Sequence, residues 1–199
     1  VFHSSDLLSN GLLLVAGGQG AQAGGSHELG DFSGGGTNAT FTETASSLRT
    51  PRQNQTSVRL PGSSGNRVVL VGGQDPVGAD APLATSEYYD PATNTFTSTG
   101  PNQHTRLFSA SDSLADDRVA AFGNNDTGVG AENDTAEILD ATQNLWAHLM
   151  NTMAVGRTGP SATRLADGRV LVAGGSGVIG TGAEIFDPVT TSFTTVGPM

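Results

Sequence analysis

Residues 159–199 read GPSATRLADGRVLVAGGSGVIGTGAEIFDPVTTSFTTVGPM, and this stretch decides the fold because three earlier parts of the chain repeat its plan. Its apolar run, Val170-Leu171-Val172-Ala173, ends in Gly174-Gly175. Equivalent runs end at Gly17-Gly18, Gly72-Gly73 and Gly123-Asn124, about 50 residues apart, a period that marks stacked repeats. Downstream in each copy a Glu and an Asp recur in one order: Glu28 and Asp31, Glu87 and Asp90, Glu137 and Asp140, Glu184 and Asp187. An aromatic then follows, as Phe96, Trp146 and Phe193, and in the first copy as Phe41, delayed by Ser33-Gly34-Gly35-Gly36. An arginine opens the last three copies at Arg52, Arg106 and Arg157, and another precedes their apolar runs at Arg67, Arg118 and Arg169. The copies take in residues 1–51, 52–105, 106–156 and 157–199.

Within a copy the segments are short and rich in Val, Thr, Phe and Leu, with turn residues such as Asp167-Gly168 and Asp187-Pro188 between them. No stretch sustains a helical period, and Gly occurs 28 times in 199 residues, which predicts an all-β chain with about four antiparallel strands per copy. The run before the double glycine is apolar at consecutive positions, as in a strand covered on both faces, while Thr191 to Val196 mixes polar and apolar residues like an outer strand. One sheet cannot cover both of its own faces. Neighbouring sheets stacked around an axis can.

The Gly-Gly pair closing an apolar strand, the later aromatic and the period resemble the kelch repeat. The RLADGRVLVAGG and AEIFDP segments of the last copy are similar to those of secreted bacterial and fungal kelch proteins and of galactose-oxidase-like propellers. The resemblance covers the whole chain and implies a single β-propeller domain with one four-stranded blade per repeat. Four blades fit either a closed four-bladed ring or part of a larger propeller, and two chains pairing edge to edge is a third arrangement. The third copy departs most, with Asn124 where the second glycine stands elsewhere; Asn is the least costly replacement at a positive φ.

Composition excludes several classes. There is no cysteine, hence no disulfide framework, thiolate metal site or cysteine nucleophile. The copper radical oxidases that the resemblance brings in use a tyrosine cross-linked to a cysteine, which this chain cannot form. The nine basic residues are all arginine, set against 19 acids for a net charge of −10, which disfavours a nucleic-acid partner. No apolar stretch approaches a membrane span, so membrane insertion is not expected. Asn38, Asn54, Asn125 and Asn133 each begin a glycosylation sequon. These sequons, the lack of lysine and the resemblance to secreted proteins together point to an extracellular setting, secreted or at the cell surface.

The repeated Glu and Asp invite an acid-base or metal reading. Residues three apart on a strand point to opposite faces, however, and a catalytic centre needs one special place rather than four equivalent ones. The structural expectation is that the aspartates cap turns, as at Asp90 and Asp187 before proline, and that the glutamates meet the recurring arginines. The double glycines are expected to serve packing and backbone angle, since no copy leads from glycine into a helix that would cradle phosphate. Trp146 holds the repeated aromatic position and is expected in the core.

Function is then sought where the copies differ, in the loops after the double glycines and in the links between blades, a rim that often carries ligand contacts in kelch propellers. The binding candidates are Asp75, Asp80, His104, Asn125, Asp126, Glu132 and Asp134. Asp126, Glu132 and Asp134 would suit calcium, although their spacing matches no EF-hand; otherwise no cofactor is expected. His3, His27, His104 and His148 occupy unlike repeat positions with no metal spacing, and no Gly-x-Ser-x-Gly elbow exists, so no catalytic residue is nominated. The expected function is a non-catalytic binding or structural module for a glycan or protein surface. The competing expectations are a fragment of a galactose-oxidase-like or sialic-acid-modifying propeller enzyme, and a self-associating surface-structure subunit.

Overall fold

A computed structural model describes residues 1–19, 25–33, 39–44, 46–60, 66–123, 133–176 and 182–197. Every regular element among them is a strand. Sheet 1 comprises β1 (Ser4–Leu7), β2 (Leu13–Ala16), β3 (His27–Asp31) and β4 (Thr40–Glu43); sheet 2 comprises β5 (Thr56–Arg59), β6 (Val68–Val71), β7 (Ser86–Asp90) and β8 (Thr95–Ser98). Sheet 3 comprises β9 (Ala110–Ser113), β10 (Arg118–Phe122), β11 (Ala136–Asp140) and β12 (Leu145–His148); sheet 4 comprises β13 (Ser161–Arg164), β14 (Val170–Ala173), β15 (Ala183–Asp187) and β16 (Ser192–Val196). Each sheet is an antiparallel meander in chain order, so each copy of the repeat builds one blade.

The register is the same throughout: the Glu of each copy lies opposite the second strand, as Val15↔Glu28, Leu70↔Glu87, Ala121↔Glu137 and Val172↔Glu184. Left-handed residues close the turns at the same places, Gly11, Asn66, Asp117 and Gly168 between the first two strands, and Asn94, Asn144 and Thr191 between the last two. Glycine, Asn and Asp reach that region at least cost, which is why they gather there. Each landmark Asp caps the latter turn as expected: Asp31, Asp90, Asp140 and Asp187 accept the N–H groups of Ser33, Ala92, Thr142 and Val189 at 2.8–2.9 Å.

The first strands of neighbouring sheets adjoin, β1 with β5, β5 with β9 and β9 with β13, and three apolar cores lie between successive sheets. In sheet 2, Val68, Leu70, Tyr89 and Phe96 pack back onto Leu14 and Ala16 of sheet 1, while Val69, Val71 and Tyr88 pack forward onto Val119, Leu139 and Trp146 of sheet 3. Ala120, Phe122 and Ile138 of sheet 3 then meet Val170, Phe186 and Phe193 of sheet 4. Trp146 is 2% exposed, as its repeat position predicts.

Among the described residues no such core joins sheet 4 to sheet 1, and β13 does not adjoin β1 as the other first strands adjoin. Among the described residues the four blades stand in a row with three packed junctions. The expectation that every apolar run is covered on both faces therefore holds only for β6 and, beyond its first residue, β10; in β2 and β14 buried and half-buried positions alternate. The cause is position in the row: sheets 1 and 4 each have one neighbour.

The recurring arginines and glutamates form the polar part of each junction. Arg52–Glu87 and Arg106–Glu137 are ion-paired at 2.7 Å and Arg157–Glu184 at 3.2 Å, all essentially without exposure. The second guanidinium nitrogen of each arginine ties down the loop after the apolar run, donating to the carbonyls of Gly72 and Thr85, of Gly123 and Thr135, or of Gly174 and Gly182. The glutamates accept in turn from the link before their own copy, Glu87 from the N–H groups of Arg49 and Thr50, Glu137 from Gln103 and His104, and Glu184 from Ala154. Such pairs tolerate burial because both charges are hydrogen-bonded and opposed.

Candidate functional site

Each copy enters its first strand through a segment two residues past the place of the opening arginine. Phe2, Asn54, Phe108 and Gly159 hold that position, and all four have left-handed backbone, with φ of 64, 55, 51 and 67°. The N–H of Asn54 donates to the Phe2 carbonyl at 3.0 Å and that of Gly159 to the Phe108 carbonyl at 2.7 Å, which ties the segments in two pairs. They line one depression of about 300 Å³ with His3, Gln55 and Ser109. Every blade contributes to it.

The residue choice there is uneven. Asn54 and Gly159 suit a positive φ, whereas a bulky aromatic in that region is an outlier costing about 1–2 kcal/mol. Phe2 and Phe108 are also 54% and 40% exposed, so burial offsets the strain only in part. Backbone strain that packing does not fully repay directs attention to a site as a functional candidate. Beside them Gln55 is 8% exposed; its Nε2 donates to the Ala16 carbonyl at 2.7 Å and to Ser4 Oγ at 3.2 Å, while its Oε1 has no hydrogen-bond partner among the described residues. Such a buried acceptor without a partner is costly, and a shift of the Gln55 side chain toward the concavity would let a ligand hydroxyl or N–H satisfy it.

Beyond this depression the first strands are bridged by polar contacts. Thr56 Oγ1 and Ser111 Oγ lie 3.0 Å apart, and Asp112 accepts the Arg164 N–H at 2.7 Å. Burial raises the Asp6 carboxyl above its ordinary value, opposed by a hydrogen bond with Ser57 and the charge of Arg59.

Of the described candidates singled out from sequence, only Asn54 lines this depression. Asp75 caps its own loop by accepting the Val77 N–H at 2.9 Å, and Asp80 accepts the side-chain amides of Gln74 at 3.2 Å and Gln53 at 3.4 Å, so both shape the loop that carries them. The His104 N–H serves Glu137, and its ring lies 4.8 Å from that of His148, a neighbour hidden by their separation in sequence. Asp134 is half-buried and its carbonyl accepts the Met153 N–H, while Asn133 donates from Nδ2 to Thr158 Oγ1 at 3.4 Å. Asn38, Asn124, Asn125, Asp126 and Glu132 lie outside the described residues, and with them two of the three calcium candidates. Among the described residues no three His, Asp or Glu side chains converge as metal ligands.

His27 is a buried exception among the histidines. It is 1% exposed between sheets 1 and 2, edge-on to Phe96 at 4.8 Å, with Asn94 Oδ1 at 3.2 Å from Nε2 and Thr44 Oγ1 at its ring nitrogen. Burial lowers its pKa below the ordinary histidine value, against the Asn94 contact.

A second concavity, of about 340 Å³, lies at the turns of sheets 3 and 4 and is lined by Asp116, Arg118, Asp167, Arg169 and Pro188 among others. Its two arginines are already paired, Arg118 to Asp116 at 2.8 Å and Arg169 to Asp167 at 2.6 Å, its third carboxylate, Asp187, accepts the Val189 N–H, and Arg169 holds the Asp167 carboxyl below its usual value. It offers a ligand neither strain nor an open buried acceptor.

A signal for the first depression does exist in the sequence. Asn54, Phe108 and Gly159 align after Arg52, Arg106 and Arg157, and Asn and Gly at two of the three mark a left-handed position in which Phe is the odd residue. No family model matches the chain, and no curated protein is significantly similar to it.

Proposed function

We propose that the chain is a non-catalytic binding module that takes a neutral glycan in the depression at Phe2 and Phe108, in an extracellular setting. The observation that carries this reading is the pair of strained, part-exposed phenylalanines, with the buried and unpaired Oε1 of Gln55 beside them. Aromatic faces with a few placed hydrogen-bonding groups suit a sugar, whose apolar C–H face can lie on a ring while its hydroxyls donate to an amide oxygen. The lining groups, His3, Asn54, Gln55 and Ser109, carry no carboxylate, while the chain as a whole is acidic, which favours a neutral ligand over a charged one. The resemblance to secreted kelch propellers supports the same reading.

Isothermal titration with neutral gluco-, manno- and galacto-oligosaccharides tests it. Saturable binding that falls at least tenfold in Phe108→Ala, with unfolding still cooperative, is expected. Absence of binding across that series, or binding unchanged in both Phe2→Ala and Phe108→Ala, would contradict it.

A further inference from the structure

The three junctions share one construction, and the two ends of the row carry its unmatched halves. At each junction an aromatic from the fourth strand and its neighbours pack back onto the preceding sheet: Phe96 is 5% exposed and Trp146 2%. The same position in sheet 1 is Phe41, which is 49% exposed. It lies opposite Gly30, where sheets 2 to 4 place Tyr89, Leu139 and Phe186. Phe32 takes the vacated space, meeting Phe41 edge to face at 5.8 Å, and is itself 49% exposed. Leu7, in the same row at the first strand, is 63% exposed. The face is apolar along this row, carries Glu28 and Glu43 in the next, and is uncovered.

The other end shows the complementary half. Leu171, Ala173 and Ile185 of sheet 4 correspond to Val69, Val71 and Tyr88 of sheet 2, which are 0–3% exposed, yet the sheet 4 residues are only half-buried. The first glycines mark the same gap. A Cβ on Gly17, Gly72 or Gly123 would strike the carbonyl of the arginine that opens the next copy, Arg52, Arg106 or Arg157, whereas at Gly174 it would meet nothing within 4 Å. Three glycines are fitted to a following sheet, and the fourth has the same left-handed backbone, φ 70°, with that place open.

We propose that a second copy of this chain covers both faces, sheet 4 of each chain receiving sheet 1 of the other. A second copy presents both complements at once, so two chains close on themselves through two equivalent junctions and leave no face free. The circle then has eight sheets, within the range known for propellers. Pairing is through faces, not through strand edges. Each chain carries a net charge of −10, so repulsion between the copies is screened and pairing favoured as salt rises.

Sedimentation velocity and light scattering on the wild-type chain from 1 to 100 μM test the pairing. The expected result is a species of twice the 20.2 kDa chain mass that does not grow further with concentration. Phe41→Glu on sheet 1 and Leu171→Glu on sheet 4 each place a charge in both junctions of a pair, so each variant alone is expected to be monomeric. Mixed together, they regain one unmodified junction, sheet 4 of the first chain with sheet 1 of the second, and a heterodimer is expected. Cooperative unfolding checks each fold, and Phe32→Glu replaces Phe41→Glu should the latter fail to fold. A wild-type monomer at 100 μM, a dimer indifferent to both substitutions, or open-ended growth would each overturn the proposal.

Discussion

Phe41 and Phe96 stand at the same place in their sheets, opposite Gly30 and Tyr89, yet Phe41 is 49% exposed and Phe96 5%. One has a preceding sheet to pack against and the other does not. Phe96→Ala is therefore expected to cost about 3–5 kcal/mol of unfolding free energy, as for a large buried aromatic. Phe41→Ala, measured in the Leu171→Glu background where the end faces stay apart, is expected to cost less than about 1 kcal/mol. Urea unfolding of the two variants checks the contrast.

The same logic applies to glycine. Gly72 and Gly174 are both left-handed, with φ of 61 and 70°. At Gly174, measured in the same Leu171→Glu background, an alanine meets open space and should cost only the backbone term, about 1–2 kcal/mol. At Gly72 it also collides with the backbone of Arg106, so Gly72→Ala is expected to be the more destabilising by a clear margin in chemical denaturation.

Glu137→Gln should be among the most damaging single-atom changes in the chain. Arg106 gives Glu137 two of its nitrogens and the pair is wholly buried, so loss of the carboxylate charge leaves a guanidinium uncompensated, at a cost of about 3–5 kcal/mol. Asp116→Asn removes a pair that is 31% and 55% exposed and is expected to leave the unfolding midpoint unchanged.

His27 predicts a pH dependence. Its folded pKa lies below 6.5 because burial penalises the imidazolium, so below about pH 6.5 the unfolded chain takes up a proton that the folded one refuses. Stability contributed by the neutral ring is present above that pH and is lost as pH falls toward the folded pKa. The difference in unfolding free energy between wild type and His27→Gln is expected to shrink between pH 7.5 and 5. A difference constant with pH would contradict it.

Strain at the depression gives a prediction of opposite sign for stability and binding. Asn adopts the left-handed region readily, and Phe108 is 40% exposed, so Phe108→Asn is expected to stabilise the fold by about 1 kcal/mol. The same variant should lose glycan binding. A Phe108→Asn that is destabilised would mean that the ring serves packing instead.

Much of the architecture is legible in the residues. The turn-capping role of Asp90 and Asp187 and the arginine partners of the buried glutamates follow from recurrence, because a contact made in three or four copies leaves a periodic trace. The run Leu13-Leu14-Val15-Ala16 looks as if it is covered on both faces, but whether a neighbour is present to cover it is a property of the row and not of the strand. The depression shows only faintly in the sequence, through the aligned Asn54, Phe108 and Gly159, for the reverse reason. Phe2, His3, Gln55 and Ser109 differ from copy to copy, and only folding brings these segments around one point. The acids of the 75–80 loop drew attention by composition, yet their carboxylates are spent on Val77, Gln53 and Gln74.

The most direct test of the central claim is amide chemical-shift mapping of the chain with a saturating neutral oligosaccharide. Perturbations concentrated at Asn54, Gln55, Phe108, Ser109 and Gly159, and abolished in Phe108→Ala, are the predicted result. Perturbations centred on Asp116, Arg118, Asp167 and Arg169, or none at all, would contradict it.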